Sequence, residues 1–134
     1  MSHVSGDVLP ERDFGPLTRT DFVKYQGASG DFNPIHHDEP FAQAAGFPTV
    51  FSVGMLQAGY LATYVTDVFG PIKVRRFRVQ FREQVWPGDV LTCRGSVGAV
   101  RSDEASGEKV ADLDLTVTTQ KGATAIVGSA TVAV

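Results

Sequence analysis

Six polar or titratable side chains, Asp31, Asn33, His36, His37, Asp38 and Glu39, crowd into the segment YQGASGDFNPIHHDEPFA at residues 25–42. Turn formation would account for Gly30, Asn33 and Pro34, but not for so many groups that exchange protons. The carboxylate of Asp31 stands five residues before the imidazole of His36. On a loop restricted by Gly and Pro, such a pair can work as an acid/base device. Imidazole titrates near neutrality, which suits His36 to the role of base. Two coupled groups share their titration, so acid and base stay open between them. The chemistry expected is enzymatic proton transfer.

The neighbouring residues have plainer readings. Adjacent side chains point apart and no further His or Cys clusters beside His36 and His37, so no metal site is expected. Asn33 shapes the loop through side-chain hydrogen bonds, and Pro34 fixes the backbone ahead of His36. Ser52 lacks the surroundings of a nucleophile elbow and is expected to cap the next helix. Cys93 alternates with Thr92 and Arg94 and reads as a buried strand residue. Arg75, Arg76, Arg78 and Arg82 fit a solvated strand face, paired with Asp112 and Asp114 on a neighbouring strand. Arg76 and Arg78 are also candidates for phosphate contacts.

The elements that must position these groups fall into a helical half and a strand half. Residues 1–12 look like a loose arm, followed by a short strand at 14–17. Thr18 or Thr20 caps a short helix through Asp21, Phe22, Val23 and Tyr25, ended by Gly27 and Gly30. A brief helix is expected at 40–45, and a longer one at 54–69 that is apolar on nearly every side and hence buried all round. Its small residues Ala58, Gly59 and Ala62 would let it approach a sheet closely. After Gly70-Pro71 the period changes to two: Phe77, Val79 and Phe81 alternate with Arg76, Arg78, Gln80 and Arg82. Strands are expected at 73–85, 90–100, 109–119 and 123–134, joined by the WPGD turn at 86–89, a polar loop at 102–108 and the Lys121-Gly122 turn. Four strands separated by short connections imply an antiparallel sheet.

Composition narrows the classes. A chain of 134 residues fits one domain, 1–134, with a single core. With 43% hydrophobic and 20% charged residues it reads as globular, and a net charge of −3 offers no basic surface for nucleic acid. A single cysteine precludes an internal disulfide and a CxxC motif. The longest apolar run is broken by Gln57, Thr63, Thr66 and Asp67, and it is shorter than the roughly 20 residues a membrane span needs. No signal-peptide pattern opens the chain, so a cytoplasmic location is expected.

GDFNPIH at 30–36, with Tyr25 before it and Ala42 after it, resembles the signature of MaoC-like (R)-specific enoyl-CoA hydratases and 3-hydroxyacyl-thioester dehydratases. The resemblance extends through Gly54-Met55-Leu56 to the WPGD turn and is to the single hot-dog type. It departs at Ala28, where a larger aliphatic is common, and at Val53, where a His often precedes the Gly-Met pair. The resemblance implies an α+β hot-dog fold, a curled antiparallel sheet wrapped around a long central helix. It also implies interconversion of trans-2-enoyl and (R)-3-hydroxyacyl thioesters, with Asp31 and His36 holding the catalytic water. The oxyanion would be held by the Gly54 amide, where the first N–H groups of a helix lack partners and lie at the positive end of its dipole. Asn33 joins Gly54 among the substrate-binding candidates, and Arg76 and Arg78 would contact phosphates of coenzyme A or a carrier protein. No separate cofactor is implied, since coenzyme A or phosphopantetheine comes with the substrate. A homodimer, or a heterodimer with a related hot-dog subunit, is expected, with acyl carrier protein as a further candidate partner. The alternatives are a non-catalytic acyl-thioester-binding subunit, which would be expected to have lost Asp31 or His36, and a hot-dog thioesterase. The latter usually carries a carboxylate on the central helix, where this chain offers only Gln57 early and Asp67 at the far end.

Overall fold

The computed structural model describes residues 2–134. In chain order the elements are β1 (Arg12–Phe14), α1 (Arg19–Ser29), a 3-10 turn (Pro34–His36), α2 (Glu39–Ala44), α3 (Gly54–Phe69) and a second 3-10 turn (Pro71–Lys73). Four longer strands follow: β2 (Val74–Phe81), β3 (Leu91–Ser102), β4 (Lys109–Thr119) and β5 (Thr124–Ala133). With β1 they form a five-stranded sheet in the order β1-β3-β4-β5-β2, with every pairing antiparallel.

The period-two pattern works as expected in β4. Leu113, Leu115 and Val117 are buried in the core, while Asp114 is exposed on the other face. Leu61, Tyr64 and Val65 of α3 pack against this inner face together with Val97, Ile126 and Ala130. The sheet therefore closes around one helix, as the resemblance implied. Close approach is permitted by glycines of the sheet rather than of the helix. A Cβ on Gly95 would come within 3.0 Å of Leu115 and Leu9 and 3.4 Å of Tyr64, and one on Gly128 within 3.1 Å of Leu61. Gly59 is exposed, and a Cβ there would touch nothing.

Several expectations need correction. The helix α3 is not buried all round: Met55, Gly59, Thr63 and Asp67 form an exposed row at four-residue spacing. The arm before β1 is not loose, because Leu9 sits in the core and Gly6 and Leu9 donate to the carbonyls of Val97 and Gly95. The first strand lies at Arg12–Phe14, two residues earlier than expected, and Leu17 instead donates its N–H to Asp89 O. Gly27 lies inside α1, which runs on to a left-handed Gly30 at φ 78°. The first long strand ends at Phe81 and pairs with β5, not with β3. The WPGD turn is thus no hairpin; it belongs to a crossing segment from the far edge of the sheet. Asp89 fixes that turn by accepting from the Trp86 N–H at 2.9 Å and from Gln120 Nε2 at 3.0 Å.

Candidate active site

The loop is wound by its own side chains. Thr18 and Asp21 form a reciprocal capping box that starts α1. After Gly30 the Asp31 Oδ1 accepts from the Asn33 N–H at 3.2 Å, and the Asn33 Oδ1 accepts from the Ile35 N–H at 3.1 Å. These successive Asx turns, with Pro34 in the first turn of the 3-10 helix, deliver His36 inward. Buried Gln26 of α1 ties the loop down, donating from Nε2 to Asn33 O at 3.0 Å and accepting from His37 Nδ1 at 2.9 Å.

The remaining polar residues of the segment have structural partners. Asp38 caps α2 by accepting from the Phe41 N–H at 3.2 Å. Glu39 accepts from the Thr49 hydroxyl at 2.7 Å and from Arg19 at 3.0 Å. The Thr49 hydroxyl, and then Arg19, hold its carboxyl below the usual range. Among the described residues no group of three His, Cys, Asp or Glu side chains is placed to hold a metal.

His36 is 8% exposed, and its Nδ1 lies 2.7 Å from the carbonyl oxygen of Phe51. A carbonyl has no proton to give, so Nδ1 carries the hydrogen. In the neutral ring the lone pair is then on Nε2. The Phe51 ring meets the imidazole edge-on at 5.2 Å and packs in turn against Phe47, tilted, and Trp86, edge-on, an aromatic wall behind the imidazole. His36 lines a cleft of about 190 Å³ with Phe51, Ser52, Gly54, Gln57 and Phe81. At its other wall α3 begins. Val53 is the N-cap but makes no side-chain cap bond, and among the described residues no carbonyl accepts from the Gly54 N–H. A Cβ on Gly54 would stand 3.1 Å from the Phe81 ring. A side chain there would therefore have to push that ring aside.

His36 and Gly54 are thus brought together. Asp31 and Asn33 are exposed and outside the cleft wall, engaged in the turns that shape it. Arg76 and Arg78 also lie elsewhere, on the outer face of β2; Arg82 is the arginine that reaches the cleft. Among the described residues no hydrogen bond or ion pair joins the β2 arginines to Asp112 or Asp114, because β5 lies between β2 and β4; Arg76 acts on Asp112 only through its charge. Asp112 is bound instead by Arg101, at 2.7 Å and 3.1 Å. A larger recess of about 360 Å³ beside Arg75, Arg76 and Arg101 contains Glu108 and Asp103, which pair with two of those cations.

Two expectations about Ser52 and Gln57 are revised. Ser52 is not the cap of α3; its hydroxyl points to Gln57 Oε1 at 2.6 Å. Gln57, 3% exposed, is a polar residue of the cleft that the sequence presented as a break in an apolar run and as the early polar group where a thioesterase would carry a carboxylate.

The MaoC like domain family matches residues 4–120. The chain belongs to that family. It is 32% identical over 111 residues to the (R)-specific enoyl-CoA hydratase of Aeromonas caviae, covering 81% of this chain and 79% of that protein. The solved (R)-hydratase from A. caviae superposes with a TM-score of 0.83 at 25% identity, over 99% of this chain and 98% of the other. A chain of the ChsH1-ChsH2 complex from Mycobacterium tuberculosis gives a TM-score of 0.82 at 25% identity, over 97% of both chains. The peroxisomal hydratase-dehydrogenase-epimerase of Saccharomyces cerevisiae is 36% identical over 83 residues, which is 62% of this chain but only 9% of that much longer protein. The fold of this MaoC-family chain is the α+β hot-dog. Among its described residues no helix is long and apolar enough to cross a membrane.

Proposed function

We propose that this MaoC-family chain is a hydratase/dehydratase interconverting trans-2-enoyl and (R)-3-hydroxyacyl thioesters. The observation that carries the reading is the cleft itself, lined by a buried imidazole and by a helix start, where among the described residues neither the imidazole Nε2 nor the Gly54 N–H has a partner. Hydration adds OH to C3 and H to C2. His36 Nε2 takes a proton from water as the oxygen bonds to C3, and the C2=C3 π electrons move toward the thioester oxygen. The Gly54 N–H, at the positive end of α3, stabilises that charge; loss of such a donor costs about 2.7–4 kcal/mol in other enzymes. The proton taken up by His36 is then returned to C2, which regenerates the thioester. For Asp31 to share that water in this reading, its carboxylate must turn from the Asn33 N–H that now holds it outside the cleft wall. Dehydration retraces these steps.

The thiol is coenzyme A or phosphopantetheine, carried in with the substrate, and no metal or redox group takes part. Arg76 and Arg78 make no side-chain hydrogen bond or ion pair among the described residues, which leaves them free to meet its phosphates. The sheet has open edges at β1 and β2, and pairing with a second copy or a related hot-dog subunit would cover one of them. We assign the protein to the cytoplasm.

The test is hydration of a panel of 2-enoyl-CoAs of increasing length, followed as loss of the enoyl-thioester absorbance, with Asp31→Asn and His36→Ala alongside. Turnover by the wild type and severe loss in both variants are expected. No turnover at any length, or full activity in both variants, would sink the proposal.

A further inference from the structure

Gln57 is the one polar side chain on the buried face of α3 near its start, and burying an amide is costly unless its polar atoms are matched. Half of it is matched. The separation between Ser52 Oγ and Gln57 Oε1, 2.6 Å, is that of an O–H···O bond and is shorter than N–H···O bonds usually are. The Ser52 hydroxyl therefore donates and Oε1 accepts, which orients the amide so that Nε2 is the group left over. Among the described residues Nε2 has no hydrogen-bond partner, and no buried side-chain nitrogen or oxygen is left sealed and unpaired. The open atom must therefore reach the cleft that Gln57 lines with His36 and Gly54. Residues three apart on a helix share a face, so Gln57 stands one turn below Gly54 on the same wall.

We propose that Gln57 is a second oxyanion donor: its Nε2–H, held in place by the Ser52 hydroxyl, bonds the thioester oxygen together with the Gly54 N–H as charge develops. The inference deepens the hydratase reading and rests on it. Other arrangements of the amide are less suited to the cleft. A base is already present in His36, and a neutral amide neither gives nor takes a proton. What it offers is a fixed dipole, and a fixed dipole acts most strongly where charge appears in a confined site. Gln57 is in this account a catalytic residue and Ser52 a positioning residue.

Two substitutions separate this role from a merely structural one. Gln57→Met keeps the length of the side chain and removes the donor. Gln57→Glu keeps an oxygen for the Ser52 hydroxyl, so it preserves the internal bond while replacing the donor with a carboxylate. Both are expected to lower kcat for enoyl-CoA hydration by about 100-fold with little change in KM, the behaviour of a transition-state donor. Ser52→Ala is expected to lose less, and Ser52→Thr to recover most of that loss. Ligand spectroscopy gives an independent readout. In a His36→Ala background, where bound 2-enoyl-CoA survives, adding Gln57→Met should move the thioester C=O stretch to higher wavenumber. Wild-type kcat in a folded Gln57→Glu, a rise in KM alone, or an unmoved carbonyl stretch would each overturn the inference. If Gln57→Met does not fold, Gln57→Glu decides. Wild type active and His36→Ala dead, with Gln57→Glu at full rate, would defeat this inference and leave the hydratase reading standing. An inactive wild type would defeat both.

Discussion

The outer face of the sheet and the cleft at the start of α3 are both polar, yet their polar groups are arranged in opposite ways. On the outer face Arg101 clasps Asp112 at 2.7 Å and 3.1 Å, Arg75 clasps Glu108 at 2.8 Å and 3.0 Å, and Arg94 reaches Glu11 at 2.7 Å and Thr118 at 2.6 Å. These pairs are exposed and answer one another, and such pairs contribute little to stability. The cleft holds few formal charges. Arg82 and Glu83 stand at its exposed rim. Its inner wall holds His36, Gly54 and Gln57, and among the described residues each of these leaves one atom unanswered: Nε2 of the imidazole, the backbone N–H, and Nε2 of the amide. Charge density marks a solvated surface here, whereas half-satisfied polar groups in a buried wall mark the place where a substrate completes the bonding.

The sharpest way to break this contrast is His36→Ala. A positioned general base contributes about 10²–10⁴-fold, so kcat/KM for enoyl-CoA hydration should fall by that order. Arg101→Met on the outer face should leave it unchanged in the same assay. Equal effects would erase the distinction between the two regions.

Gly54→Ala comes next. Its new Cβ would meet the Phe81 ring at 3.1 Å. Since Phe81 is half exposed, the ring can shift into the cleft rather than unfold the protein. The expected result is an activity loss of up to about 100-fold from misplaced substrate, with the thermal midpoint nearly retained. A large drop in the midpoint with unchanged kcat would assign Gly54 to packing instead.

Tyr64 offers a third kind of polar group, buried and fully answered. Its hydroxyl donates to Pro10 O at 2.7 Å, and burial pushes its pKa up to about 12. Tyr64→Phe leaves that carbonyl unpaired and should cost about 1–3 kcal/mol in urea denaturation, with kcat unaltered. A change in kcat would blur the line between satisfied and open groups.

The smallest effect is expected for Arg101→Met, read as stability against pH. The hydrogen bond from Arg101, then that from Thr131, holds the Asp112 carboxyl below its usual pKa. A depressed folded-state pKa contributes stability that is present above the ordinary carboxylate range and lost as pH falls through the lower, folded value. The thermal midpoints of wild type and Arg101→Met should therefore differ slightly near neutrality and converge in acid. A gap that widened toward low pH would contradict the pairing.

Much of the fold was legible because local patterning decided it. Helix α3 and strand β4 span 54–69 and 109–119, the bounds expected from the helical stretch and from the alternation centred on Leu113, Leu115 and Val117. Cys93 is buried in β3 as its neighbours indicate, and burial pushes its thiol up to about 12. What failed depended on partners distant in sequence. The placement of β2 beside β5 is a choice among sheet edges that no single strand encodes. Leu9 looked like part of a free arm because the carbonyl that receives its N–H belongs to Gly95.

The same division runs through the site. By itself the sequence determined the turn chemistry of Asp31, Asn33 and Pro34 and a glycine at a helix start. These follow from residue type and short spacing, since Asx turns and helix ends are local structures. The structure sets the Asp31 carboxylate in that turn, outside the cleft wall that His36 lines. Only the tertiary structure decided which atoms stay open. The Phe51 carbonyl fixes the tautomer of His36 from fifteen residues away, and the Ser52 hydroxyl turns the Gln57 amide toward the cleft. A hydrogen bond that consumes one atom of a side chain frees another, and that choice exists only once the chain has folded.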